Sequence, residues 1–469
     1  MLKRILLCAL AASLLFVVRP VSAQSSGPIY VVQPDDTLYS IAARFNVSID
    51  SLMAANGITD ANVLGVGQQL VIPGLEGISG VLDTEFVNFG DSFHSLLRRT
   101  QIPLDLIRRL NHFVSPTEFY VGASLIVPKQ ENQTDLKSRL STTSGQSLFE
   151  LAVQSDDSPW MLSTLNGLNG TWDALPGDVL YTTGADTSEQ NASGLPSAFV
   201  SAQIASLPFK QGETGEIIVQ PAAGMTLSGT LVNYPLHFFP VGDGRMVALQ
   251  GIHAMLDPGI YPLQLDATGA DGTTQSFEQM VLVASGGYRK EALSVSSELI
   301  DPAITGPEDQ LVETITAPVT ADKLWTGNFA RPVYLPDGDS PGACIFDRFG
   351  TRRSFNGSDY KYFHSGIDFG VCFIDHPLDI YAAAPGTVVY TGTMNVRGNA
   401  TFVDHGWGVY SAYYHQKEIN VGVGQQVQAG QLIGQIGGTG RVTGPHLHWE
   451  IWVNGIQVNP QDWLDRAYP

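Results

Sequence analysis

From residue 29 the apolar positions of the chain switch between two periods. A short β-rich run, "YVV", precedes "TLYSIAARF", whose apolar residues recur at helical spacing, with Asp36 or Thr37 able to cap its start. "SIDSLMAAN" repeats the helical pattern behind Ser48, and "GQQLVIP" closes the unit as a strand. The pattern predicts strand, helix, helix, strand. It returns twice, so that residues 33–73, 88–128 and 143–183 align at a constant offset of 55 residues. Leu38, Phe93 and Leu148 correspond, as do Ile41, Leu96 and Leu151, then Asn56, Asn111 and Asn166, then Gly67, Gly122 and Gly177. One offset kept over four columns marks an internal repeat.

Beyond the repeats the texture changes. Residues 186–196 ("DTSEQNASGLP") are polar and rich in turn-formers, as a linker is. From 197 to 298, short β-rich runs such as "EIIVQP", "RMVALQGI" and "QMVLVA" alternate with turns such as "GDG" and "DPG", which predicts a β-sandwich. The Cys…Trp…Cys signature of antibody domains is absent, so an Ig-like reading rests on the pattern alone. Residues 299–325 read as a linker carrying one short helix. From 326 onward many short strands are broken by glycine: "DIYAAAPGTVVYTG", "GNATFVDHG", "GVYSAYYHQ", "PHLHWEIWVNG".

The first 23 residues read as a secretory signal, with Lys3 and Arg4, then the apolar run "ILLCALAASLLFVV", then a small-residue site at "VSA". The run is short for a spanning helix, and no later stretch is apolar enough to cross a bilayer. Cleavage would remove Lys3, Arg4 and Arg19 and no acid, taking the formal charge from −20 to −23. So acidic an exported chain is a poor partner for nucleic acid or anionic membrane surfaces. Cys344 and Cys372 would remain, and an oxidising compartment favours a disulfide between them; two independent thiols are the alternative.

Six of the ten histidines fall between 364 and 448. In "GPHLHWE", His446 and His448 are two apart, so in a strand both project from one face. Packing or a metal would each account for the pair. In "HSGIDFG", His364 and Asp368 are four apart, in a glycine-rich setting that favours strand or loop. Imidazoles with a carboxylate suit a borderline ion such as zinc, and three protein donors plus water are the arrangement of a catalytic site. Spacing alone does not fix which histidines bind. Glu450 alternates onto the face of His446 and His448, either as support to a ligand or as an ordinary polar residue at the strand end. His405 in "VDHGWG" reads as structural or as supporting the site, and His376 as a surface residue. Arg352 and Arg353 either line a groove or sit on a solvated loop. His237 and His253 are isolated and read as structural.

Two resemblances sharpen this picture. The repeats resemble the LysM module, a small βααβ domain that binds N-acetylglucosamine-containing glycans such as peptidoglycan and chitin. The first copy (29–74) matches well, the second (84–129) is recognisable, and the third (139–184) is degenerate, its ending "LYTT" lacking the usual proline. The resemblance places glycan contacts at Asp35, Asp36, Thr37 and Leu38 on one side of a groove and at Asn62 and Val63 on the other. The later copies either bind as well or act as spacers. "HSGIDFG", "APGTVVYTG", "VDHGWGVYSAYYH" and "GGTGRVTGPHLHWE" together resemble the lysostaphin/LytM-type zinc metallopeptidase domain, over residues 326–469. That resemblance implies His364, Asp368 and His448 as ligands of one Zn²⁺, with His446 and His415 as the two catalytic histidines. Gln416 stands where a leucine is usual. An Ig-like domain ahead of such a peptidase is also a family arrangement.

The expectation is a mainly β, multidomain chain: three LysM-like modules, an Ig-like sandwich at 197–298, a linker at 299–325 and an all-β peptidase domain. The resemblances imply an exported monomeric endopeptidase, secreted or held in the cell envelope, that cuts cross-links or stem peptides of peptidoglycan while the repeats hold wall glycan. The alternative is a non-catalytic wall-binding regulator of other hydrolases.

Overall fold

The computed structural model describes residues 27–75, 77–78, 80–112, 118–129, 138–142, 146–174, 178–182, 194–296, 300–334, 342–372 and 378–469. The expected signal segment, His376 and most of the 186–196 linker lie outside the described residues. The chain divides into two compact units, one of residues 1–86, 100–118 and 123–135, the other of residues 87–99, 119–122 and 136–469.

The first unit holds one four-stranded sheet to which the first two repeats both contribute. Ile29–Val31 pairs antiparallel with Gln69–Val71 and parallel with Val81–Phe86, which pairs antiparallel with Ser124–Pro128. Helix Leu38–Arg44 starts where Thr37 and Ser40 bond reciprocally: the Ser40 amide donates to Thr37 Oγ1 at 3.0 Å and the Thr37 amide to Ser40 Oγ at 2.8 Å. Thr37, and not Asp36, is therefore the cap. Ser48 caps helix Ile49–Asn56, which stops at Gly57 in the left-handed region (φ +64°). The apolar faces of both helices, Leu38, Ile41 and Leu52, bury against Tyr30, Leu70 and Ile72.

The repeat asparagines explain why one spacing recurs. Asn56 Nδ2 donates to Leu52 O and Val71 O, both at 2.8 Å, while its Oδ1 accepts from the Val71 amide at 2.6 Å. Asn111 does the same with Ile107 O (3.0 Å), Ile126 O (2.9 Å) and the Ile126 amide (2.7 Å). Asn166 repeats it with Leu162 O (2.8 Å), Tyr181 O (2.7 Å) and the Tyr181 amide (2.6 Å). One side chain thus ties the end of the second helix to the closing strand, satisfying backbone groups that helix and strand leave open.

In the second unit the third repeat pairs Ser138–Ser141 antiparallel with Val179–Thr182 and packs helices Leu148–Gln154 and Pro159–Leu165 into a small core of its own. Two sheets follow, of five and four strands, facing each other across a shared core that includes Phe199, Ile217, Leu231, Leu263, Phe277 and Val281. This β-sandwich is joined to the C-terminal part through apolar contact. Phe239 stacks on Trp407 (4.8 Å, 7°), Val247 and Leu249 enter the same core as Trp325 and Trp463, and Lys290–Leu293 adds in parallel to Arg352–Phe355. The segment expected as a linker carries the helix Pro302–Thr316, 15 residues long, whose Glu308, Val312 and Thr316 form a buried stripe.

The C-terminal part is built on a large antiparallel sheet. Its strand order is Gly342–Asp347, Ile367–Cys372, His446–Val453, Val409–Tyr414, Gly398–Gly406, Gly386–Met394 and Gln426–Val427. A separate three-stranded sheet has the order Asp379–Tyr381, Leu432–Ile436 and Gln416–Ile419, both pairings antiparallel. The architecture is mainly β, and among the described residues no helix is long and apolar enough to cross a membrane.

Candidate active site

The strand His446–Val453 is buried along its whole length. Alternation sends Leu447, Trp449, Ile451 and Val453 into the apolar core and leaves His446, His448 and Glu450 on the opposite face. Cross-strand register then fixes the neighbours of His448, with Asp368 opposite it on one side and Tyr414 on the other. His364 arrives from the turn before the Asp368 strand. Gly366 makes that approach feasible, because a Cβ there would overlap Trp449 O and lie 2.9 Å from His448 Nε2.

Three donor atoms meet as a result. His364 Nε2 lies 3.0 Å from Asp368 Oδ1, His448 Nδ1 lies 2.8 Å from the same oxygen, and the two nitrogens are 3.1 Å apart. Among the described residues this is the group of His, Cys, Asp or Glu side chains spaced to hold a metal ion. The donor set, two imidazoles and a carboxylate, suits zinc. Tetrahedral ligands at about 2.0–2.2 Å stand roughly 3.3–3.6 Å apart, a few tenths of an ångström from these spacings. The far ring nitrogens are also engaged: His364 Nδ1 meets Arg348 O at 3.0 Å, and His448 Nε2 meets Glu450 Oε1 at 3.1 Å. Those bonds leave the other nitrogen of each ring facing its partners.

His446 and His415 stand beside the triangle. His446 Nδ1 donates to Gly444 O at 2.9 Å and His415 Nδ1 to Thr439 O at 2.8 Å, so each ring presents an unprotonated Nε2. Their centroids are 4.7 Å apart, and His446 Nε2 is 3.8 Å from Asp368 Oδ1. His415 sits at φ +62°. This left-handed conformation, costly for a residue with a side chain, breaks the strand's alternation, so that Tyr414 stacks on His448 (5.6 Å, 5°) while the next residue also reaches the site.

Electrostatics separate the groups. Burial opposes charge on Asp368, but hydrogen bonds and charge from His364 and His448 outweigh it and hold the carboxyl well below its usual range. Burial also opposes charge on His448, yet Asp368 and Glu450 lift it to about 9. A ligating imidazole must be neutral, so a metal ion competes there with a proton. Burial, aided by His448 and His446, pushes His415 down to about 3, and burial lowers His446 as well.

Glu450 is far from an ordinary strand-end residue. It is 1% exposed, and besides His448 it meets Ser365 Oγ, Tyr414 Oη (2.9 Å), Trp452 Nε1 (2.8 Å) and Gln457 Nε2 (3.1 Å). Asp347 lies 3.7 Å from His364 Nδ1 and binds Arg289 (2.7 Å) and Arg353. Arg353 is thus tied back to Asp347 and Arg352 to Ala254 O, and both stand on the strand Arg352–Phe355, partly buried, in place of a solvated loop. Neither Asp347 nor Ser365 has a spacing signal in the sequence. The H-x-H-x-E alternation does point to Glu450. His405 is buried between Pro385 O (2.7 Å) and Ser411 Oγ (2.8 Å), as a structural residue would be.

The residues proposed for glycan contact are divided. Leu38 is fully buried, and Asp36 is taken up by Tyr30 Oη (2.7 Å) and the Gln33 amide (2.8 Å), so neither side chain is open to a sugar. Thr37 caps its helix, Asp35 holds φ +67°, Asn62 bonds Asp60 Oδ1 (3.1 Å), and Val63 is exposed. Cys344 is disulfide-bonded; the side chain of Cys372 lies outside the described residues.

Comparison with known proteins bears on this geometry. Residues 362–460 match the family model Peptidase family M23, and residues 30–73 and 87–128 match that of the LysM domain. The chain carries an M23 domain and LysM domains. Over 117 residues it is 42% identical to the peptidoglycan DD-endopeptidase ShyC of Vibrio cholerae, covering 25% of this chain and 26% of that protein. Over 96 residues it is 44% identical to the peptidoglycan DD-endopeptidase ShyA of the same organism, covering 20% and 22%. The chain therefore spans about a quarter of the length of these curated relatives. The antimicrobial peptidase lysostaphin from Staphylococcus simulans aligns at 33% identity and a TM-score of 0.20, over 22% of this chain and 44% of that one.

Proposed function

We propose that this protein is an exported zinc-dependent endopeptidase that hydrolyses peptide cross-links or stem peptides of peptidoglycan, with its LysM repeats holding wall glycan. The observation that carries the reading is the His364–Asp368–His448 triangle with two further imidazoles turned toward it. Similarity of the M23 domain to peptidoglycan DD-endopeptidases supports the substrate class. Zinc at such a site polarises a peptide carbonyl and lowers the pKa of a bound water to about 7.

In this reading His364, Asp368 and His448 hold the ion, and Glu450 and Arg348 O keep the two ligand rings in place. His446 is the general base: its Nε2 takes a proton from the attacking water and delivers it to the leaving amine nitrogen. His415 orients that water through its own Nε2. The bond between Cys344 and its partner, assigned to Cys372, fastens the strand that carries Asp347. Tethering by the repeats raises the effective concentration of substrate, so weak glycan binding suffices. The intact set of five site residues speaks against the non-catalytic regulator. Metal analysis of the purified protein tests the centre directly. About one zinc per chain is expected, falling to background in His448→Ala; equal zinc in both proteins would refute the assignment of His448.

A further inference from the structure

The helix Pro302–Thr316 belongs to a segment that reads as a connector, yet it places a buried carboxylate next to the site. Glu308 is 6% exposed. Its Oε2 accepts from the Val396 amide at 2.8 Å, and its Oε1 accepts from the Arg397 amide at 3.0 Å and from Arg397 Nη1 at 2.9 Å. Asp309 adds a bond to Arg397 Nη2 at 3.0 Å. Val312, one turn on, packs with Phe402, Tyr410, Tyr414 and Trp452. A buried carboxylate so fully paired is costly to disturb, because removing it leaves two backbone donors and Arg397 Nη1 without their acceptor.

The turn that Glu308 grips holds the His415 amide directly and the loop that receives its ring. Arg397 O accepts the His415 amide at 2.9 Å. The Asn399 amide donates to Thr439 Oγ1 at 2.8 Å, and Val396 O accepts the Arg441 amide at 2.8 Å, so the same turn holds the Thr439–Arg441 loop. Thr439 O in turn receives His415 Nδ1 at 2.8 Å. The Arg397 guanidinium also lies 5.7 Å from the centroid of the Tyr414 ring that stacks on His448. His415 keeps a left-handed backbone that few residues adopt, and such a conformation persists only where its surroundings over-determine it.

We infer that Glu308 is a positioning residue: through the Val396–Asn399 turn, the connector helix locks His415 in the orientation the reaction uses. This rests on the reading of His415 as a catalytic histidine given above. The catalytic centre is then incomplete without a segment that lies outside the residues matched by the M23 family, 362–460. Any event that lifts the helix would release the turn that holds His415.

The test uses the full zinc-loaded chain, with cross-linked muropeptide dimers as substrate and histidine-selective isotope labelling. Glu308→Ala is expected to lower kcat roughly tenfold to a hundredfold, with zinc content and KM near the parent values. Glu308→Gln, isosteric and still able to accept one backbone hydrogen bond, should fall between the two. In both variants the His415 ring resonances should leave the Nδ1–H tautomer, and its amide, bonded to Arg397 O, should exchange faster. His415 signals and amide exchange identical to the parent in Glu308→Gln and Glu308→Ala would overturn the inference whatever the activity. Full activity in His415→Ala would instead refute the catalytic role of His415. The ring and amide signals would still decide whether Glu308 positions it.

Discussion

His448 carries more of the site than any other side chain, since it bonds the carboxylate of Asp368 with one nitrogen and that of Glu450 with the other. Its place depends on a residue with no side chain. A methyl group at Gly366 would overlap Trp449 O and press on His448 Nε2, so Gly366→Ala should fold but bind zinc at least about tenfold more weakly, read by competition with a chromophoric chelator. His405 makes a separate prediction. Burial pushes it from its ordinary 6.5 down to about 4. The unfolded chain therefore takes up the proton first, and stability is lost as pH falls from about 6.5 to about 4, by roughly 3 kcal/mol from this residue. Denaturant melts across that window should show a shallower pH slope in His405→Gln than in the parent. At this scale the sequence already points to His364, Asp368, His446 and His448, because period-two alternation and the motif company are local signals. Asp347 and Ser365 were invisible, because only folding brings them within reach of His364 and Glu450.

At the scale of elements, the repeats were legible because one side chain recurs with the same task. Asn166 keeps the three hydrogen bonds of Asn56 and Asn111 although the third copy has lost its closing proline and lies outside the segments matched as LysM. Asn166→Ala should destabilise that module by roughly 2 kcal/mol, the cost of stranding the Tyr181 backbone groups, seen as faster amide exchange at Leu162–Tyr181 with the sandwich unaffected. Unchanged exchange there would show that the bonds do not hold the module. The connector's helix was expected, but its packing was not legible, for a physical reason. Its buried stripe, Glu308, Val312 and Thr316, has two polar members, so the helix lacks the apolar periodicity that marks a packed face. The value of Glu308 to the fold depends on Arg397, 89 residues away in the chain.

For the whole molecule, the sandwich, the connector helix and the M23 domain share cores and a strand pairing, while the first two repeats add segments matched as LysM domains. The central claim is hydrolysis of a peptide bond in peptidoglycan by a metal held at His364, Asp368 and His448. Digestion of purified peptidoglycan, scored as newly freed amines, tests it most directly. The account predicts amines released by the parent protein, abolished by a chelator, restored by added zinc and absent in His448→Ala. Amine release that persists in His448→Ala or in chelator, or muropeptides left unchanged across several wall chemotypes, would contradict it.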